Sequence, residues 1–304
     1  LTKQIAHNTF WQIIGKVIGT ALGVAWIALL TRYLGQEQFG YYSTALAFMQ
    51  FFGVLVDMGL YLVCLQEIST NSEKQNYILS NIFTLRFFSA VIFLGAGSLL
   101  IFAFPYAPVV KWSAALASLA FFLMSLVQIL TPPFQKYLKM GWVAMAETVG
   151  RLGLLLTVVA FIYWRVNLPF LMLSNVAASL INFLIIWLLV KKFATVRWSF
   201  DFTYWKTVFA KAWPIALGIT FNLVYFRADT IVLSLYHSAS VVGIYSAPYK
   251  VLEIIATFPH MFMGLVMPIL MAAWLTKSME KFKNVLQKTF DFFMLLVVPM
   301  ILGS

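Results

Sequence analysis

Apolar runs of about 20 residues or more, each long enough to cross a hydrocarbon layer of about 30 Å, follow one another along this chain with short polar breaks between them. They predict eight helical spans, Trp11–Thr31, Phe39–Cys64, Ile78–Phe104, Val110–Leu130, Val143–Trp164, Leu168–Val190, Ala212–Tyr236 and Val242–Trp274, and a ninth starting near Thr289. Barrel strands are excluded, because they would be about ten residues long and would alternate polar with apolar positions. The eighth run is longer than one crossing needs and carries Pro248, Pro259 and Pro268, which predicts a kink or tilt. The expected fold class is all-α, a polytopic transmembrane helix bundle.

The polar stretch Arg197–Lys211, with Trp198, Phe200, Phe202, Trp205, Val208 and Phe209 set among polar residues, reads as an amphipathic linker lying in the cytoplasmic interface. It divides the chain into 1–195, a lobe of six helices, the linker 196–211, and 212–304, the first helices of a second lobe. An internal repeat supports the division. A shift of 203 residues places Leu30, Tyr33, Gly40, Tyr42 and Ser43 on Leu233, Tyr236, Gly243, Tyr245 and Ser246, all around the turn that joins two spans. Six spans separate the copies, an even number, so both point the same way. The chain begins at Leu1 and stops about 16 residues into its last apolar run, and is expected to be a fragment with its second lobe incomplete.

Composition agrees with a lipid solvent: of 304 residues 62% are hydrophobic and 10% charged, against roughly 25% charged in soluble domains. The formal net charge of +11 does not indicate nucleic acid, because the basic residues sit mostly in connectors and form no continuous basic face. They set the topology instead. With the N-terminus in the cytoplasm, the inner segments hold thirteen Lys and Arg, from Lys3 and Lys74 to Lys288, and the outer connectors hold Arg32, Lys111 and Arg165. Cys64 is the only cysteine, so no intramolecular disulfide and no zinc cluster can form. The first apolar run lacks a small-residue cleavage pattern and is expected to remain as a helix. Interfacial girdles account for many aromatics, Trp112, Trp142, Trp164 and Trp187 among them.

Five basic residues remain inside the spans: Lys16, Arg86, Arg151, Arg227 and Lys250. A charge at the bilayer centre costs at least about 2.5 kcal/mol, so each needs a partner, a route to the interface or a wet cavity. Lys16, Arg86, Arg151 and Lys250 can snorkel or pair as well as line a cavity. Arg227, nine residues from one end of its span and fifteen from the other, is the deepest by this reading and the first candidate for substrate contact. Asp229 lies about 200° round the helix from Arg227 and must look to another helix. Lys250 and Glu253 share a helix face and can neutralise each other. The 203-residue shift also relates Asp57 to His260. Asp57, Asp229, Glu253 and His260 are the candidates for ion or proton coupling. The three histidines are scattered, and no phosphate-binding glycine loop or nucleophile elbow is present, so no enzyme, metal site or cofactor is expected.

The segments Asn8-Thr9-Phe10-Trp11, Leu30-Thr31-Arg32-Tyr33-Leu34-Gly35 with Phe39-Gly40-Tyr41-Tyr42-Ser43, Asp57-Met58-Gly59-Leu60, and Arg227-Ala228-Asp229 followed by Val242-Gly243-Ile244-Tyr245-Ser246-Ala247 resemble the polysaccharide-transporter branch of the multidrug/oligosaccharidyl-lipid/polysaccharide (MOP) superfamily, O-antigen (Wzx-type) flippases above all. The resemblance implies two six-helix lobes about a pseudo-two-fold axis along the membrane normal. It implies alternating access in a bacterial cytoplasmic (inner) membrane, with a cationic cavity holding an undecaprenyl-pyrophosphate-type lipid-linked oligosaccharide for O-antigen or other polysaccharide biosynthesis. Glycosyltransferases and a polysaccharide polymerase would be its partners, with membrane lipids around it. The alternatives are a cation-coupled multidrug exporter of the same superfamily, which would favour acidic cavities, and a membrane-embedded glycosyltransferase or polymerase, which would need a longer polar loop than any outer connector here. Against the five embedded basic residues stand Asp57, Glu147, Asp229 and Glu253.

Overall fold

The computed structural model describes residues 2–250 and 278–303 and the single positions 266, 270, 273 and 274. Among these residues all regular structure is helical, as the backbone requires where no water can take its hydrogen bonds. The helices are α1 (Thr2–Asp57), α2 (Leu60–Thr70), α3 (Gln75–Leu100), α4 (Pro108–Leu130), α5 (Pro132–Lys136), α6 (Met140–Tyr163), α7 (Leu168–Leu171), α8 (Leu173–Val190), α9 (Phe202–Tyr236), α10 (described over 239–250) and α11 (Met279–Gly303). Six helical stretches among the described residues are long and apolar enough to cross a membrane. Their outward faces are apolar, with Leu99 76% and Leu156 69% exposed, a surface suited to lipid. Leu1–Ser246 forms one compact unit and Ala247–Ser304 another. Most of the expected eighth span, with Pro259 and Pro268, lies outside the described residues.

The first two expected spans share α1, whose one non-helical residue is Gly35 (φ 67°, ψ −177°). Before Gly35, α1 runs in the same direction as α6: Gly15 abuts Ala144, Gly19 abuts Arg151, and the Tyr33 hydroxyl donates to the Val166 carbonyl at 2.8 Å. After Gly35 it runs against α3, with Phe48 on Phe104, Phe52 on Gly97 and Asp57 on Arg86. α3 and α6 both begin at one end of the bundle, where Lys136 Nζ donates to Gln75 Oε1 at 2.6 Å. The chain therefore reverses at Gly35, a left-handed position that glycine adopts without a Cβ clash.

The second span is shorter than its apolar run suggests. Expected through Cys64, it ends at Asp57, because Met58 (φ 42°) and Gly59 (φ 76°) are both left-handed and α2 starts afresh at Leu60. Apolarity cannot register such a break, since lipid-compatible side chains continue across it. Gly59 also meets α9 closely, where a Cβ would lie 2.8 Å from Ile215 and 3.3 Å from the Ala212 carbonyl oxygen. The buried core gathers here, with Leu60, Cys64, Ile82, Leu126, Phe134, Val143, Ile186 and Val208 in one cluster.

The stretch read as a linker has two parts. Residues 202–211 are the first turns of α9, capped by the Asp201 carboxylate, which accepts from the Tyr204 N–H at 2.9 Å. The Tyr77 hydroxyl also donates to Asp201, and this bond, then that from Tyr204, holds the carboxyl below its ordinary range. Residues 195–201 are extended and lie along α3. The N–H groups of Thr195, Arg197, Ser199 and Asp201 donate to the side chains of Asn76, Ser80, Thr84 and Asn81 at 3.0 to 3.1 Å. Alternate residues of an extended chain face one way, and residues four apart on a helix share a face, so the two periods match at Asn76, Ser80 and Thr84, after which Asp201 turns back to Asn81.

Each such bond contributes about 1 kcal/mol. Replacing Ser80 by Ala together with Thr84 by Val removes two acceptors, about 2 kcal/mol, and every 1.4 kcal/mol is about tenfold. Trypsin cleavage after the exposed Arg197 is expected to accelerate at least about tenfold in the double variant. An unchanged cleavage rate would show that the segment is held elsewhere.

Candidate functional site

Arg86 is 1% exposed, between the end of α1 and α4. Its Nη1 donates to the Asp57 carboxylate at 2.5 Å and to the Val56 carbonyl at 3.0 Å, and its Nη2 to Gln128 Oε1 at 2.5 Å. A helix C-terminus presents unsatisfied carbonyls that attract a cation, and the carboxylate beside them completes the seat. The cavity candidate Arg86 and the coupling candidate Asp57 thus neutralise one another in a buried brace beside the Met58-Gly59 break. Gln128 is a third member that sequence alone did not single out, because an amide on an apolar helix carries no periodic signal.

Arg151 is placed differently. It stands at the midpoint of α6, eleven residues from Met140 and twelve from Tyr163, which makes it at least as deep as Arg227, nine residues from the end of α9. Its side chain lies in a trough on α1. A Cβ at Gly19 would be 3.3 Å from its Cδ and Nε, and one at Gly23 would be 3.2 Å from its Nη1. Nη1 donates to the Gly19 carbonyl at 2.8 Å. Gly15, Gly19 and Gly23 recur every four residues, and this stripe was the available sequence signal for the trough. Glu147, one turn earlier on α6, is exposed and makes no ion pair with Arg151. Among the described residues no carboxylate pairs with Arg151, which is exposed on its far side and bonded to a neutral carbonyl.

Arg227, on α9, is half-buried, as is Asp229 two residues later. The Asp229 carboxylate turns to α10: it accepts from the Tyr245 hydroxyl and from the Thr230 N–H, the latter at 2.7 Å. The repeat relates this pair to Trp26 and Tyr42, whose rings meet edge to face with centroids 6.2 Å apart. Corresponding positions thus tie the first helix to the second in both hairpins, by a hydrogen bond in one and by aromatic packing in the other. Lys250 is half-buried at the end of the described part of α10. The Lys16 side chain, Glu253 and His260 lie outside the described residues. Among the described residues no three His, Cys, Asp or Glu side chains converge as metal ligands would.

The connector charges sort by end. Lys74, Lys136, Lys139, Lys191, Lys192 and Lys211 lie at the end where α3 and α6 start, where Lys192 stands 4.9 Å over the Trp142 ring and Lys211, inside α9, pairs with Glu67 at 2.5 Å. Arg32, Lys111 and Arg165 belong to the Gly35 end. Trp142 and Trp187 sit at the first end and Trp112 and Trp164 at the second, so both interfaces carry aromatic anchors.

Residues 5–275 match a protein family described as "Polysaccharide biosynthesis protein". The chain is also similar to a Shigella flexneri protein named "Putative O-antigen transporter", with 26% identity over 325 residues that cover 98% of this chain and 73% of that one.

Proposed function

We propose, from the premise that this chain belongs to the polysaccharide biosynthesis protein family, that it is a flippase which carries a lipid-linked oligosaccharide across a bacterial cytoplasmic membrane by alternating access. The observation that carries the reading is Arg151, a cation midway along α6 with which no carboxylate among the described residues pairs. Pyrophosphate cannot enter hydrocarbon unaided, and a guanidinium in a low-dielectric setting binds it through strong charge-assisted hydrogen bonds. Arg227, Lys250 and Lys16 join Arg151 as substrate contacts in this reading, while Arg86 braces the lobe. The basic connector end faces the cytoplasm, which puts the N-terminus inside. Residues 1–195 form the first lobe and 212–304 begin the second.

A cation-coupled drug exporter of the same superfamily fits less well, because Asp57 is taken up by Arg86 and Asp229 by Tyr245. Glu253 and His260 are the coupling groups we assign, and glycosyltransferases and a polymerase would supply and consume the substrate. The test is reconstitution of the full-length protein into liposomes that hold a labelled undecaprenyl-pyrophosphate oligosaccharide in both leaflets. A membrane-impermeant glycan oxidant is expected to reach the label of both leaflets, instead of the outer leaflet alone. Oxidation confined to the outer leaflet, with uptake of a cationic dye in its place, would favour the exporter.

A further inference from the structure

The internal repeat meets itself at one point. A Cβ built on Gly40 would stand 1.8 Å from the Ala239 carbonyl oxygen, and one built on Gly243 would stand 1.9 Å from the Gln36 carbonyl oxygen. The shift of 203 residues that relates the copies carries Gln36 to Ala239 and Gly40 to Gly243. The contact is thus reciprocal, each copy's glycine against the other copy's backbone one turn before its own glycine. Reciprocity of this kind is what a two-fold axis imposes on an interface, and here the axis passes between Gly40 and Gly243.

Three features describe what such a contact can do. It joins the second helix of one hairpin, α1 after Gly35, to the second helix of the other, α10, at the Gly35 end. It is made by backbone on backbone, so no side chains interdigitate and the helices can part without repacking. One turn further, on the same face of each helix, Ser43 and Ser246 are 6% and 5% exposed, and neither hydroxyl has a hydrogen-bond partner among the described residues. These two are also related by the shift. A buried hydroxyl without a partner is unfavourable, and it is tolerable where the burial is periodic and water returns.

The geometry points to the Gly40 and Gly243 crossing as the closing contact of the Gly35 end, a seal that forms and parts once per transport cycle and admits no side chain at either glycine. This inference rests on the alternating-access reading for its purpose, but the seal itself can be measured without substrate. With Cys64 replaced by Ala, Ser43→Cys reports the seal through its reaction with N-ethylmaleimide, which modifies thiols that water reaches.

In the full-length protein Ser43→Cys is expected to react slowly. Adding Gly40→Leu, or separately Gly243→Leu, is expected to raise the rate at least about tenfold, a population shift equivalent to 1.4 kcal/mol, and to abolish glycan export. Gly95→Leu is the control, since a Cβ there meets nothing within 4 Å, and should leave the rate unchanged. If a leucine variant fails to reach the membrane, Gly40→Ala and Gly243→Ala replace it, because the Cβ alone already collides. Unchanged labelling in both glycine variants, or a rise in only one, overturns the seal. Faster labelling with undiminished export overturns its role in the cycle. Failure of the unmodified protein to flip lipid-linked oligosaccharide, with the labelling pattern as expected, removes the substrate reading and leaves the seal standing.

Discussion

Replacing Arg86 by Met is expected to remove most of the protein from the membrane. The guanidinium holds the Asp57 carboxylate, the Val56 carbonyl and the Gln128 amide oxygen at once. Its loss leaves a half-enclosed carboxylate with no cation. Breaking a buried pair from one side costs about 3–5 kcal/mol, against a total stability of about 5–15 kcal/mol for a typical domain. Arg86→Lys should be nearly as damaging, because one ammonium cannot span three acceptors set around a planar fork. Adding Asp57→Asn to Arg86→Met is expected to recover part of the loss, since the unpaired charge is then gone. Membrane abundance and the midpoint of thermal unfolding in detergent both read the effect. Normal abundance with lost export in Arg86→Met would place Arg86 at the substrate instead of in the brace.

Arg151 and Arg227 are expected to behave in the opposite way. Alanine at either position should leave abundance near normal and reduce flipping of the lipid-linked oligosaccharide roughly tenfold to a hundredfold. That range corresponds to one charge-assisted contact of about 1.5–3 kcal/mol. Lysine should retain part of the activity at both sites, keeping the charge and losing the two-pronged grip on phosphate. For Arg151 the trough adds a second handle. Gly19→Val would push the side chain from its place, since even the first carbon would stand 3.3 Å from Cδ, and is expected to mimic Arg151→Ala. Export by Arg151→Ala and Arg227→Ala cells at the unmodified level, with equal abundance, would take both residues out of the transport path.

The sequence by itself determined what the solvent dictates. Runs of apolar residues must be helices where the backbone has no water to bond, so the crossings, the helical class and the grouping of connector lysines at one end were legible from composition along the chain. The repeat was legible too, because both hairpins need the same small and aromatic residues at the same turn. The tertiary structure decided what each charge does. Arg86 and Arg151 have the same side chain at similar depth, and only their neighbours separate a neutralised brace from a charged trough. Asp57 and Asp229 likewise look alike until Arg86 and Tyr245 claim them.

The break at Met58-Gly59 was hidden for a related reason: apolar character continues through it while the backbone turns left-handed, and hydropathy reports burial without conformation. The linker shows the same division. Its polarity was plain in the sequence, but hydrogen bonds from an extended segment to Asn76, Ser80, Asn81 and Thr84 depend on two elements over a hundred residues apart meeting in register. Local pattern fixes which groups need partners in lipid, whereas the identity of the partner is a property of the packed chain.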